Sequence, residues 1–264
     1  MLDIIKADFY RIMRGKAFYI TLSLLLAFII LQVVTGHTES LLSTNFGGES
    51  DSVLITGITA PFEMMSNSDT TLFFLLVFIV IIAVFDFSSG TAKNVLTSGV
   101  SRMEYYFAKL VLSLLFCFAI SFLMVAVSSV SATIVRGFGG AFDMAFFGSL
   151  LRTFAAQLLI LFAITCMGVF FVFTVKNVVA FVGLFLAFGL LPQLIIAFIA
   201  SFFNEDTISV LWFFHFDLWG SAVRVARIGA MGTSDVIVAL LIGVFYIAIS
   251  TLGGIMLFKR SEIK

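Results

Sequence analysis

Polar residues with chemical potential are scarce in this chain, and the densest run of them is 86–109. It reads Asp86-Phe-Ser-Ser-Gly90-Thr91-Ala-Lys93-Asn94-Val-Leu-Thr-Ser-Gly99-Val-Ser101-Arg102-Met-Glu104-Tyr-Tyr-Phe-Ala-Lys109. Gly90-Thr91 permits a turn and a helix start, and 92–97 suits a short helix. Gly99 breaks that helix, and Ser101 can cap the next. Arg102 stands two positions before Glu104 and seven before Lys109. This is the turn chemistry of a structured elbow rather than a loose tether.

Other reactive groups are isolated. Cys117 and Cys166 fall inside apolar runs, where thiols are packing residues. His37 and His215 are far apart. His215 and Asp217 are two apart but have no third ligand near them, so they read as interface residues and not as a metal site. No G-x-x-x-x-G-K-[ST] loop, H-E-x-x-H helix or G-x-S-x-G elbow occurs. Gln32, Gln157, Asn177 and Gln193 are the polar amides of the apolar segments, fit for helix–helix hydrogen bonds or for substrate contacts. With no fuel-burning motif and almost no ionisable residue inside the apolar runs, any transport by this chain must draw its energy from a partner.

The elements that position these groups follow from composition. Of the 264 residues, 61% are apolar and 11% charged, with 34 Phe. Soluble domains run at roughly 45–50% apolar and about 25% charged. Such a chain has too little polar surface to cover a soluble enzyme or nucleic-acid binder; it is a polytopic membrane protein. Long gaps between charges predict six transmembrane helices, at about 17–35, 70–87, 110–134, 153–175, 178–203 and 236–258, in one all-α domain over 1–264. Continuously apolar runs speak for helices against a barrel. The second span is the shortest, since 70–85 between Asp69 and Asp86 makes about 24 Å of helix, so one end should run past a charge. Pro192 lies in the fifth span and predicts a kink, either a structural bend or a hinge.

Six spans put both termini on one side. With the termini inside, the inner side carries Lys6, Arg11, Arg14, Lys16, Lys93, Arg102, Lys109, Lys176, Lys259, Arg260 and Lys264. The outer side carries only Arg136, Arg152, Arg224 and Arg227, so the positive-inside rule makes the termini cytoplasmic. Within 1–16, Leu2, Ile5, Phe9, Ile12 and Met13 recur at helical spacing, with Asp8, Arg11 and Arg14 on the opposite side of the wheel. This predicts an amphipathic interfacial helix, serving as a topology anchor or as a docking element for a cytoplasmic partner. The outer segment 204–235 is aromatic, and 211–228 is expected to form re-entrant or interfacial short helices.

The inner loop resembles that of the permease subunits of type-2 ABC exporters (ABC-2 type). That family has an acidic residue, three variable positions, Gly-Thr, a short helix, a turn, Ser-Arg, and a Lys entering the next span. Here these are Asp86, Gly90-Thr91, Gly99, Ser101-Arg102 and Lys109. Asp86 stands where Glu is commoner, and Gly99 where many members have Pro. The layout of six spans, amphipathic N-terminal helix and helical outer segment agrees along the whole chain. The resemblance implies a cytoplasmic ABC ATPase subunit as partner, with ATP and Mg bound on that subunit and no cofactor on this chain. It implies coupling residues at Asp86, Gly90, Thr91, Lys93, Asn94, Gly99, Ser101, Arg102 and Lys109, and a docking helix presenting Phe9, Arg11 and Arg14. It also implies a second permease copy or a related permease beside this one. Small permeases of this length are similar to those that export, or confer immunity to, antimicrobial peptides of the lantibiotic and bacitracin kinds. A Phe-rich interface suits a hydrophobic or amphipathic substrate. The competing reading is a membrane sensor or scaffold whose inner loop binds another cytoplasmic protein. An intramembrane enzyme is disfavoured by the lack of a clustered acid, base or nucleophile.

Overall fold

A computed structural model of the chain describes residues 1–36, 55–140, 143–202, 217–226 and 233–260. Its helices are α1 (Leu2–Arg14), α2 (Lys16–Thr35), α3 (Ala60–Ser66), α4 (Ser68–Ser88), α5 (Thr91–Thr97), α6 (Arg102–Arg136), α7 (Met144–Val175), α8 (Val178–Phe202), α9 (Leu218–Ala226) and α10 (Thr233–Arg260). Among the described residues six helices, α2, α4, α6, α7, α8 and α10, are long and apolar enough to cross a membrane. The all-α, six-span architecture expected from the sequence is therefore present.

Several helices run further than the apolar gaps suggested. α4 takes in both Asp69 and Asp86, so the second span passes a charge at each end. Inside it, Val80–Val84 forms a π-helical turn, which advances the side-chain register by one residue; below that turn Phe85 faces out and Asp86 faces in. α6 starts at Arg102, ahead of the span expected from 110, with Ser101 as the expected cap and Glu104 completing a capping box. α7 starts at Met144 rather than 153, where the Asp143 carboxylate accepts from the Phe146 N–H at 2.8 Å. At 1.5 Å per residue these two helices are about 52 and 48 Å long, well beyond a hydrocarbon core of about 30 Å, so their ends stand outside it.

Burial ranks the helices by position. The most apolar stretches of α4 and α7 are 67% and 61% buried and form the centre, whereas those of α8 and α10 are 17% buried and form the rim. One core cluster joins α4, α6, α7, α8, α9 and α10 around residues such as Ile79, Tyr106, Ile164 and Phe185. A second joins α1, α2, α4 and α6 around Ile12, Phe18, Phe78 and Phe116. Pro192 lies within α8, and the helix continues through it.

The side remote from the N-terminus is tied by polar contacts. Arg136 donates to the Val34 carbonyl at 3.3 Å, and Gly57 and Ile58 donate to the carbonyls of Gly137 and Phe138. Gln157 donates to the Met65 carbonyl at 2.6 Å and to Ser68 Oγ at 2.8 Å, so it acts as helix–helix glue. Trp219 of α9 donates its indole N–H to Asp69 at 2.6 Å. The described part of the expected outer element is this helix with Asp217 before it, one face of the helix being buried; the rest of 211–228, with His215, lies outside the described residues.

Trp219 lies against the backbone of α8 so closely that a Cβ added at Gly189 would fall 1.8 Å from its ring. Gly189→Val should displace the indole, break its bond to Asp69 and destabilise the fold by about 1–3 kcal/mol. Tryptophan emission in a Trp212→Phe background, which isolates Trp219, should move to longer wavelength. Emission unchanged from the Gly189 parent would contradict this packing.

Candidate functional site

The resemblance directs attention to the end of the molecule where α1, α5 and the start of α6 meet. α1 is amphipathic, but its protein-facing stripe is Ile5, Asp8 and Ile12, while Leu2 and Phe9 are exposed. Asp8, assigned to the polar side of the helical wheel, is in fact buried. Three to four residues separate the members of that stripe, so one flank of the apolar arc, with an acid at its edge, turns toward the bundle.

Asp8 is held there by Lys109, whose side chain is 0% exposed. Its ammonium donates to Asp8 Oδ2 at 2.6 Å and contacts Asp86 Oδ2 as an ion pair. It also lies 5.3 Å from the centre of the Tyr105 ring. Arg11 closes the arrangement: its Nη2 is 2.6 Å from Asp86 Oδ1, an ion pair without hydrogen-bond alignment, and 3.3 Å from Asp8 Oδ1. Tyr105 donates its hydroxyl to Asp86 Oδ2 at 2.9 Å. Two acids and two cations make a neutral quartet drawn from α1, α4 and α6. Isolated buried charge is prohibitive, and mutual neutralisation makes this one tenable.

Below the quartet an aromatic knot joins four helices. Phe173 of α7 meets Phe87 of α4 at 5.3 Å, Tyr106 of α6 at 4.8 Å and Phe258 of α10 at 4.7 Å. Arg102 fastens the same end by donating to the carbonyls of Phe258 and Lys259, the last turn of α10, at 3.2 and 2.9 Å. A cation suits the negative end of a helix dipole. Lys176, the left-handed cap of α7 (φ 56°), is held below the usual lysine range by partial burial and by nearby Arg102.

The residues singled out in 86–109 thus divide. Asp86 and Lys109 are sealed inside and brace the loop from within; Arg102 is half-buried and spans to α10. Gly90, Lys93, Asn94, Gly99 and Ser101 face outward, with Thr91 half-exposed. Gly90 (φ 71°) and Gly99 (φ 96°) take left-handed backbone at either end of α5, where a side chain would add strain. On α1, Phe9 and Arg14 are exposed, Arg14 stacking over the Tyr10 ring at 4.7 Å. Asp8, Tyr105, Phe173 and Phe258 were not anticipated as site residues. A lone lysine eight residues into a helix whose first apolar turn has begun was the available signal that an acid elsewhere must meet it.

Among the described residues no group of His, Cys, Asp and Glu is placed to hold a metal ion, and both cysteines are free and buried. A comparison with protein families matches the ABC-2 family transporter protein over residues 4–192. The chain belongs to the ABC-2 transporter family. It is the permease of an ABC transporter, a multi-pass membrane component that in bacteria resides in the plasma membrane, and its family associates with an ABC ATPase subunit. Comparison with curated proteins gives no match.

A second polar centre lies at the far end of the ABC-2 permease. Asp217 caps α9 by accepting from the backbone N–H groups of Gly220 and Trp219. Burial pushes its carboxyl above the usual range, against the pull of those bonds and of Arg224; its Oδ1 has no hydrogen-bond partner among the described residues. Arg224 is itself lowered by burial, opposed by Asp217, and donates to Ser221 Oγ at 2.9 Å.

Two outcomes are expected. Lys109→Met leaves two buried acids facing one arginine and should cost about 3–5 kcal/mol, with Asp8→Asn in the same chain restoring part of the loss. Chemical unfolding in detergent micelles measures both; additive losses would exclude the direct pairing. Asp217 is harder to ionise folded than unfolded, so the folded state binds the extra proton between about pH 3.9 and the raised value. Stability should therefore fall as pH rises through that window. Asp217→Asn keeps a capping side chain and should flatten the dependence of Tm on pH in that window. An equal slope in both proteins would place the titrating group elsewhere.

Proposed function

We propose that this chain is the permease half of an exporter driven by a separate ATPase, with α5 and its flanking turns as the surface that the ATPase grips. The observation that carries this reading is the outward face of Gly90, Lys93, Asn94, Gly99 and Ser101 on a loop fixed from behind by the Asp8–Lys109–Asp86–Arg11 quartet. A surface that transmits force needs a stiff mount, and the mount here reaches α1, α4, α6 and α10 at once. The excess of Lys and Arg at this end supports a cytoplasmic position for it. ATP and Mg would then be bound and used on the partner.

The weakly buried apolar faces of α8 and α10 support a second permease, identical or related, completing a two-fold pathway. Helices of such apolar character, rich in Phe, suit a hydrophobic or amphipathic cargo that partitions from lipid, antimicrobial peptides among them. Nucleotide-driven closure of the ATPases would rock the two permeases and release the cargo outward.

The test is co-purification with an ATPase encoded in the neighbouring reading frame. Lys93→Glu together with Asn94→Glu, on exposed positions whose side chains make no bond among the described residues, should lower recovery about tenfold while leaving Tm unchanged. Arg102→Glu should lower both recovery and Tm, because it also unfastens α10. Recovery indifferent to the Lys93 and Asn94 changes removes the docking surface from α5.

A further inference from the structure

An open groove of about 340 Å³ lies between α1, the start of α2 and the end of α4. That volume is at the lower end for ligand sites, roughly 300–1,000 Å³. One end is apolar, walled by Ala17, Phe18, Ile81 and Phe85; the other is polar, with Arg11, Asp86, Ser89 and Thr91. The apolar wall belongs to the spans and the polar wall to the loop and α1, so polarity changes along the groove in the same sense as in the adjoining leaflet. An amphiphile entering sideways from that leaflet would match both ends.

The polar end is built for a phosphate bearing a hydroxylated headgroup. Arg11 meets both acids of the quartet through Nη2, and its guanidinium side chain is 41% exposed and lines the groove. Guanidinium donors suit phosphate oxygens in number and geometry. The acid beside it, Asp86, is already matched by Lys109 and Arg11. Asp86 is the only carboxylate among the described residues that line the groove. Arg11 is thus the cation of the lining, with exposed Arg14 and Lys16 near it in the chain. Ser89 Oγ donates to the Phe85 carbonyl at 2.7 Å, so the 2.8 Å contact between Ser89 and Thr91 takes its proton from Thr91. Both hydroxyls then offer lone pairs to a headgroup O–H.

We propose that this groove holds one anionic phospholipid of the adjoining leaflet, its phosphate on Arg11, its headgroup hydroxyls on Ser89 and Thr91, and its acyl chains over Phe18, Ile81 and Phe85. The bound lipid bridges α1 and the loop, and so joins the mount of the α5 surface. Which leaflet supplies it rests on the orientation proposed above; occupancy of the groove does not.

The test uses the purified full chain, delipidated in detergent, titrated with phosphatidylglycerol and read by native mass spectrometry. The wild type should retain a single lipid per chain. Ala17→Trp, which fills the groove from an exposed position, should weaken retention about tenfold, and Leu24→Trp, on the exposed face of the same helix outside the groove, should not. Phe85→Glu supplies a second route, by repelling the phosphate. Equal retention by wild type, Ala17→Trp and Phe85→Glu overturns the proposal. Displacement of the lipid by millimolar inorganic phosphate overturns it in favour of a free-anion site. Protection of a thiol label at Ala17→Cys by the ATPase but not by phosphatidylglycerol overturns it in favour of a protein-docking groove. ATPase recovery is a separate readout, so failure here leaves the transport reading standing, and the reverse.

Discussion

Lys109 has no contact with solvent, yet it carries a charge, and most of the arrangement around the loop follows from that. An ammonium in such a place needs acids within reach, and the fold brings two of them from segments far apart in the chain. Asp8 must come inward on α1, which fixes the rotation of that helix. Asp86 must come inward below the π-helical turn of α4, which fixes the start of the loop. Arg11 then balances the second acid and ties α1 to α4 directly. The quartet adds little to stability compared with a well-packed apolar substitute, but removal of any one member is costly. Its contribution is geometric: it permits only one register of three helices.

The two ends of the molecule use polar groups differently. At the loop end the charges cancel within the quartet, and an aromatic knot around Phe173 spreads the bracing to α7 and α10. At the far end Gln157 of α7 and Trp219 of α9 make hydrogen bonds to α3 and α4, Asp217 caps α9, and one oxygen of that carboxylate has no hydrogen-bond partner among the described residues. One end is stiff and electrically neutral at its base; the other keeps a titratable group in reserve.

Much of this was legible in the residues. Charge-free gaps of about span length gave the six helices, because a bilayer leaves an unpaired backbone no alternative. Gly90, Gly99 and Ser101 gave the turn, the break and the cap of 86–109, since each acts through its own backbone or nearest neighbours. Helix ends were less legible where capping outruns hydrophobicity, as at Asp143. The facing of α1 was not legible: Asp8 sits at the border of the apolar arc, and only its contact with Lys109 decides which flank turns in. Nor were Phe173 and Phe258, since one phenylalanine among 34 carries no mark of its neighbours.

The quartet also sets an order on biosynthesis. Asp8, Arg11 and Asp86 leave the ribosome well before Lys109, so for that interval two acids share a single cation. The first two spans cannot settle against each other in their final pose until the third has been threaded in and delivers the missing ammonium. Completion of the elbow therefore waits on one residue at the mouth of the third span, and a chain stalled before it would leave Asp8 and Asp86 with Arg11 as their one cation from the quartet.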